Sequence, residues 1–175
     1  SQEELLRVQD EWGKELVHHE VENGLQVVSD GEFGRSWWHL DFLWNLTGFE
    51  SYQQEDSYKF HGAKTRTTNV RINGKIAENP NHPFYRDFEY LKSVTPEGIT
   101  PKVTTPSPSL IINRDHRSDL YADYYDSWTD FLDDLAKAYH DTIQHFYDLG
   151  ARYVQLDDTT WGYLIQQFEN EKNNP

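Results

Sequence analysis

The feature that most constrains this 175-residue chain is a unit that occurs twice: an amphipathic helix, a glycine, a short apolar strand and a polar cluster. The spacing of apolar residues predicts helices over 2–23 and 119–149, and the strands that follow them lie at 25–28 and 151–156. A third strand, KVTTPSPS, is predicted between them at 102–109. Alternation of helices and strands favours a parallel α/β sheet with right-handed crossovers.

Three parallel strands with polar residues at their carboxyl ends predict a TIM-type (β/α)8 barrel, of which this chain holds an internal part, about strands 2–4. A doubly wound sheet places ligands at the same strand ends, so the periodicity alone does not choose between the two folds. Residues 49–78 alternate polar and apolar side chains and contain Asn-Gly at 73–74, which predicts a β-hairpin inserted before a helix near 83–93. We expect the hairpin, at 58–78, to project from a single domain spanning 1–175.

Charge and composition exclude several classes of partner and of chemistry. The formal net charge is −14, from 30 acidic and 16 basic residues, so nucleic acids and anionic membrane surfaces are not expected to bind. No apolar run is long enough to cross a membrane, and a soluble cytoplasmic protein is expected. The absence of cysteine excludes thiolate metal ligands, and the 8 histidines show no metal-binding spacing, so no metal ligands are predicted in this chain.

The first candidate site follows the strand at 25–28. Glu32 could bind a ligand ammonium, and Arg35 could hold this acid in place or grip a ligand carboxylate. The alternative is a solvated ion-pair cluster at the surface. Trp37 and Trp38 could cover a flat ring or pack in the core.

The second candidate site is Asp157-Asp158 at the end of the strand YVQLDD, with Trp161 close behind. Because side chains alternate along a strand, one acid should face the barrel mouth and the other should turn away. Such pairs usually divide into one functional group and one helix cap, although Thr159 or Thr160 could supply the cap instead.

The segments LQVVSDGEFGRSWWHLDFLWNLTGFE, TPKVTTPSPS and GARYVQLDDTTW, in this order, resemble the cobalamin-independent methionine synthase family. The similarity is to its catalytic barrel and to short, single-barrel bacterial relatives labelled 5-methyltetrahydropteroyltriglutamate–homocysteine methyltransferases. The resemblance implies a TIM barrel in which zinc activates the thiol of homocysteine. That thiolate then takes the methyl group of 5-methyltetrahydrofolate, giving methionine.

The resemblance also implies roles for single residues. Glu32 and Asp157 match the acids that bind the amino group of homocysteine, and both are the candidate catalytic residues. Ser107 and Ser109 match the loop that contacts the folate, here without the family's stacking tryptophan. The remaining expected substrate contacts are Arg35, Trp37, Trp38 and Trp161.

Other parts of the family's site have no match in this chain. The zinc ligands lie beyond the strand that matches YVQLDD, and a serine for the homocysteine carboxylate lies upstream of Ser1. We therefore expect an internal piece of a barrel that binds zinc poorly and transfers no methyl group by itself. Its unpaired strand edges predict homo-oligomers or partial disorder.

Two alternatives remain open at this point: a non-catalytic binding module without metal, and a barrel like uroporphyrinogen decarboxylase, which needs no zinc. The turn Gly-Glu-Phe-x-Arg favours the methyltransferase over the decarboxylase. The basic residues Lys64, Arg66, Arg71 and Lys75 of the hairpin could reach the glutamate tail of a folate or an acidic neighbouring subunit, or could serve only solubility.

Overall fold

Helices and short strands alternate along the chain. The structure, a computed structural model, describes residues 1–53, 59–60, 63–64, 66–113, 121 and 123–172. Its elements are α1 (Gln2–Glu22), β1 (Val27–Val28), α2 (Leu40–Leu43), β2 (Thr47–Gln53), β3 (Lys59–Phe60), β4 (Ala63–Lys64), β5 (Thr68–Ala77), α3 (Pro83–Val94), β6 (Thr100–Pro101), β7 (Val103–Pro106), α4 (Ser109–Asn113), α5 (Trp128–Asp148), β8 (Val154–Asp157) and α6 (Thr160–Lys172).

Strands β6 and β7 form one extended segment, and this segment is the middle of a parallel sheet. On one side, the N–H groups of Thr100 and Lys102 donate to carbonyls in β1 and just before it. On the other side, the N–H groups of Val103 and Ser107 donate to carbonyls in β8 and just before it. Because successive amides of an extended chain point to opposite edges, β1 and β8 lie on opposite sides of the segment. Both pairings are parallel. The predicted parallel α/β arrangement of three strands is thus confirmed.

The parallel strands that the structure describes do not close into a barrel. Strand β1 pairs only with β6, and β8 pairs only with β7, within the described ranges. The sheet has two open edges there, and the complete barrel stays a prediction.

Local capping sets where the helices begin. Helix α1 lies where the periodicity predicts it, and the Ser1 hydroxyl accepts the N–H of Glu4. The prediction that the later helix starts at 119 is wrong. Ser127 has an extended backbone and its hydroxyl accepts the N–H of Asp130 at 3.1 Å, so α5 begins at Trp128. Residues 114–120 lie outside the described part of the chain.

The main hydrophobic core fills the space between the sheet, the β2–β5 hairpin and helices α2, α3 and α5. Phe42, Phe131 and Phe146 are each at most 1% exposed. Burying a side chain of this size stabilises the fold by about 1.5–3 kcal/mol. A smaller cluster consists of Val17, Val28 and Leu91 and packs α1 and α3 against β1.

Strand β5 packs on this core, so the prediction that the hairpin projects is wrong for residues 68–77. Strands β2 and β5 are antiparallel, as predicted. Val70, Ile72 and Ile76 of β5 are buried in the main core, and the N–H of Ile76 donates to the hydroxyl of Tyr125 at 2.6 Å. The alternation along β5 therefore marks one face on the core and one in solvent.

The Asn-Gly pair at 73–74 lies inside β5 and not at the hairpin turn. The β2–β5 register shifts between Thr47 and Phe49, opposite this pair. Gly48 has φ +86°, and a Cβ there would lie 2.4 Å from the carbonyl oxygen of Lys75. The glycines thus allow the two backbones to approach each other at an irregularity of the ladder.

Three basic residues of the hairpin contact neighbouring side chains. Arg71 forms an ion pair with Glu50 at 2.6 Å, and the ammonium of Lys75 lies 3.9 Å from the centre of the Tyr125 ring. Arg66 donates to the hydroxyl of Ser36. The side chain of Lys64 is outside the described part of the structure.

Helix α6 carries an apolar stripe that faces solvent. Trp161, Ile165 and Phe168 are 65%, 59% and 68% exposed, and Leu164 lies between them. The spacing of three and four residues places these side chains on one face. Among the described residues, no helix is both long and apolar enough to span a bilayer.

His82 caps α3 as a buried neutral ring, 2% exposed. Its Nδ1 accepts the N–H of Phe84, and its Nε2 lies 3.0 Å from the carbonyl of Phe42. Since that carbonyl only accepts, Nε2 carries the proton. Burial lowers the pKa of His82 from its usual 6.5 to about 4. The unfolded chain therefore binds a proton more readily, and the stabilising contribution of this histidine is present above pH 6.5 and lost as pH falls towards 4.

We expect Gly48→Ala to destabilise the fold by more than ~2 kcal/mol, because the left-handed backbone and the collision with β5 both oppose a Cβ. Gly24→Ala is the matched control, since Gly24 has φ +87° but no atom lies within 4 Å of the place that an added methyl group would take. It should cost about 1 kcal/mol. Urea unfolding followed by tryptophan fluorescence measures both values, and equal losses would contradict the close approach at Gly48.

Between pH 7 and pH 4 the free energy of unfolding should fall by about 3 kcal/mol through His82 alone. The variant His82→Asn keeps a helix cap without a titrating ring, so its stability should depend less on pH over this range. His18→Asn, at an exposed position of α1, should keep the wild-type dependence. A His82→Asn profile parallel to that of the wild type would show that another group is responsible.

Candidate functional site

The loop after β1 turns back over the sheet through an unusual backbone. Glu32 has φ 58°, the only positive φ of a non-glycine residue in the described ranges, and Gly31 before it has φ 67°. The carboxylate of Asp30 accepts the N–H of Glu32 at 2.9 Å and stabilises this turn. The turn directs the Glu32 side chain towards the middle strand.

Two donors fix the carboxylate of Glu32. Its Oε1 accepts a hydrogen bond from Nη1 of Arg35 at 2.9 Å and another from the hydroxyl of Thr104 at 2.9 Å. The Glu32 side chain is 34% exposed, so part of it can be reached from solvent. This acid is held in place and remains available to a ligand.

Arg35 is the buried partner of this pair, with a side chain only 5% exposed. Nη2 donates to the carbonyl of Thr104 at 2.9 Å, Nη1 also donates to the carbonyl of Trp38, and the guanidinium lies 4.1 Å from the centre of the Phe84 ring. Of the two roles considered from the sequence, the geometry favours holding an acid in place over gripping a ligand carboxylate. A cavity beside Arg35 and Thr104 measures only about 10 Å³, room for one water.

Asp157 lies on the same face of the sheet as the Thr104 hydroxyl. Thr104 is the register partner of Gln155, and partners on neighbouring strands share a face. The amide nitrogen of Gln155 donates to Oδ1 of Asp157 at 2.6 Å, and Lys102 donates to the amide oxygen of Gln155 at 3.1 Å. Glu32 and Asp157 thus follow the two outer strands and reach the same face from opposite sides of the middle strand.

The Asp158 side chain points away from this face. It connects the loop after β7 with the start of α6. Its carboxylate accepts the backbone N–H and the hydroxyl of Thr160, which lies at the start of α6. Ser109 is hydrogen-bonded to Thr160 at 2.8 Å and to Ser107 at 2.9 Å. Burial raises the pKa of the Asp158 carboxyl, but the hydrogen bonds from Thr160, Ser109 and Ser107 outweigh burial and leave this pKa below its usual range.

The predicted tryptophan contacts are not gathered into one pocket. Trp37 packs against the main core, and its backbone N–H donates to Asp41. Trp38 lies against the ring of His39, with centres 4.6 Å apart. Trp161 is on the exposed stripe of α6. These positions favour core packing for Trp37, and the substrate roles of all three tryptophans stay predictions.

Three residues that orient the acids, Lys102, Thr104 and Gln155, were not predicted from the sequence. Lys102, Thr104, Gln155 and Asp157 stand at alternate positions of two paired strands, so they share one polar face. That period-two pattern is present in KVTTP and YVQLDD and could have identified them. No group of three or more potential metal ligands occurs within the described ranges.

Several known proteins are similar to this chain over most of its length. No family model matches. The Bacillus subtilis (strain 168) proteins YxjG and YxjH, both named as uncharacterized, are 39% and 36% identical over 94% of this chain. The methionine synthase of Sulfolobus acidocaldarius is 27% identical over 90% of the chain. This chain spans 43%, 42% and 43% of these three relatives, less than half of their length.

Two solved structures have the same fold over most of the chain. One is described as the "Putative Vitamin-B12 Independent Methionine Synthase" of Listeria monocytogenes, with 38% identity and a TM-score of 0.71 over 90% of this chain and 43% of that protein. The other is a B12-independent methionine synthase from Shewanella sp. W3-18-1 in complex with selenomethionine, with 19% identity and a TM-score of 0.63 over 89% and 42%. The second likeness concerns the fold alone.

Replacing Arg35 by Met should destabilise the fold by about 3–5 kcal/mol, because a carboxylate and two carbonyls lose their donor. Arg35→Lys keeps the charge but loses the planar set of donors. Its stability should therefore lie between that of the wild type and that of Arg35→Met. The control, Arg71→Met, removes a solvent-exposed pair with Glu50 and should change little. Urea unfolding compares the three variants, and a neutral Arg35→Met would show that this guanidinium does not hold the loop.

Proposed function

We propose that this chain is the part of a cobalamin-independent methionine synthase-like methyltransferase that binds the amino group of homocysteine. The observation that carries the proposal is the placement of Glu32 and Asp157, which reach one face of the sheet at the carboxyl ends of β1 and β8. Ligand sites of parallel α/β folds lie at that edge. The similarity to the Listeria protein supports the reaction class.

Two carboxylates on one open face suit a primary ammonium. Each can accept one N–H, and the charge-assisted bonds are about twice as strong as neutral ones. The formal charge of −14 adds a field that attracts cations and disfavours a phosphate or a nucleic acid. The ammonium end of an amino acid is therefore the ligand group we assign to Glu32 and Asp157.

The rest of the reaction is proposed for the complete protein. There, by the resemblance, the thiol of homocysteine would take the methyl group of 5-methyltetrahydrofolate inside a closed barrel, and a bound zinc would supply the activation of the thiol. The residues of this chain do not fit zinc, since it has no cysteine and the described residues include no cluster of three ligands. Its own part is to bind and orient the amino acid, and thiol activation needs groups outside it.

The site for the methyl donor has less support from the geometry than the site for the amine. Ser107 and Ser109, which match the folate loop, are hydrogen-bonded to each other and to the start of α6. They hold the loop between β7 and α4 against the loop before α6. A folate would therefore meet a loop of fixed shape whose hydroxyls are already engaged.

Nuclear magnetic resonance titration of the 175-residue chain with L-homocysteine tests the proposal. We expect weak, saturable binding, and about tenfold or greater weakening in Glu32→Gln and Asp157→Asn, each of which loses the charge but keeps the shape. Glu50→Gln, at the exposed hairpin pair, is the control and should bind as the wild type does. Unchanged affinity in both site variants would remove Glu32 and Asp157 from the ligand site.

A separate assay tests the division of labour between this chain and the complete protein. Purified chain, homocysteine, 5-methyltetrahydrofolate and added zinc should yield no methionine above a control without protein, because the chain lacks a set of ligands that could hold the metal among its described residues. Turnover above that control would require a metal site within this chain and would overturn the assignment of thiol activation to groups outside it.

A further inference from the structure

We propose that Thr104 and Gln155 are positioning residues that set the spacing and the orientation of the two acids, so that the site selects ligands with a primary ammonium. This role rests on the proposed function, in which only Glu32 and Asp157 bind the ligand. Neither Thr104 nor Gln155 has to touch the ligand. They act by presenting one oxygen of each carboxylate to it.

The two residues occupy equivalent places. They are register partners on β7 and β8, and their side chains stand on the same face. Each makes one hydrogen bond to one acid: Thr104 to Oε1 of Glu32 at 2.9 Å, and Gln155 to Oδ1 of Asp157 at 2.6 Å. The hydrogen bonds from described residues all engage these two oxygens, so Oε2 of Glu32 and Oδ2 of Asp157 are left for a ligand.

Lys102 fixes the direction of the Gln155 amide. An ammonium only donates, and the ammonium of Lys102 lies 3.1 Å from Oε1 of Gln155. The oxygen of the amide therefore faces Lys102, and its nitrogen must face Asp157, where a carboxylate only accepts. The Thr104 hydroxyl is fixed by the same logic, because the Glu32 carboxylate can only accept its proton.

This arrangement anchors the two acids on neighbouring strands. The two positioning residues stand about one strand spacing apart, ~4.8 Å. One ammonium that makes two hydrogen bonds of about 2.8 Å at the tetrahedral angle bridges oxygens ~4.6 Å apart. A pair anchored on adjacent strands suits such a bridge, whereas a ligand without an amine would leave both carboxylates unpaired. Discrimination against ligands that lack the amine should be strong, because such a ligand would cover the two charges without pairing them.

The experiment compares two ligands on the same chain. L-Homocysteine and 4-mercaptobutanoate, which lacks only the amine, are titrated by nuclear magnetic resonance against the wild type, Thr104→Val, Thr104→Ser and Gln155→Met. Valine keeps the shape of threonine without the donor, and serine keeps the donor. Thr68→Val, which removes a hydroxyl from β5 far from this face, is the matched control.

We expect Thr104→Val and Gln155→Met to bind homocysteine about three- to tenfold more weakly, while binding of 4-mercaptobutanoate stays unchanged. Thr104→Ser should restore the preference for the amine, and Thr68→Val should keep it. Equal weakening for both ligands, or no weakening in either variant, would overturn the positioning role and leave the proposed function standing. A wild-type chain that binds the two ligands equally well, or binds neither, would instead overturn the proposed function itself.

Discussion

The buried guanidinium of Arg35 is the contact on which the rest of the site depends. A buried charge is costly unless its attraction and hydrogen bonds replace those of water. Here one carboxylate, two carbonyls and the face of Phe84 take that place. Since Thr104 gives its carbonyl to Arg35 and its hydroxyl to Glu32, one strand residue fixes both members of the ion pair. The loop after β1 is thereby tied to the middle strand and to α3.

The adjacent acids Asp157 and Asp158 have different roles, one on the sheet face and one at the start of α6. Asp157 ends β8 and is held on the open face by Gln155. Asp158, one residue later, points to the loops and accepts two hydrogen bonds from Thr160 at the start of α6. This division agrees with strand alternation, in which neighbouring side chains face opposite sides. Asp158 thereby ties the start of α6 to the end of the sheet.

Much of the fold could be predicted from periodicity, and less of the site. Helix α1, the three parallel strands and the antiparallel hairpin follow from spacing that local physics dictates. The packing of β5 could not be predicted, because alternation shows that one face is buried but not which core buries it. The late start of α5 depends on a cap by Ser127, which sits within an amphipathic pattern that continues upstream. Thr104 and Gln155 look like ordinary strand residues until the register places them side by side.

Two surfaces of the described part of the chain are left uncovered: the sheet face that carries Glu32 and Asp157, and the apolar stripe of α6. Parallel sheets are normally covered on both faces, and the relatives, more than twice the length of the region they share with this chain, have further residues to provide such cover. Enclosure would strengthen the attraction between an ammonium and a carboxylate 4 Å apart from about 1 kcal/mol in water to about 4 kcal/mol at an effective dielectric constant of 20. It would also strengthen the repulsion between Glu32 and Asp157. The charge of Arg35 offsets that of Glu32, and the hydrogen bonds from Thr104 and Gln155 stabilise the two carboxylates as neutral donors.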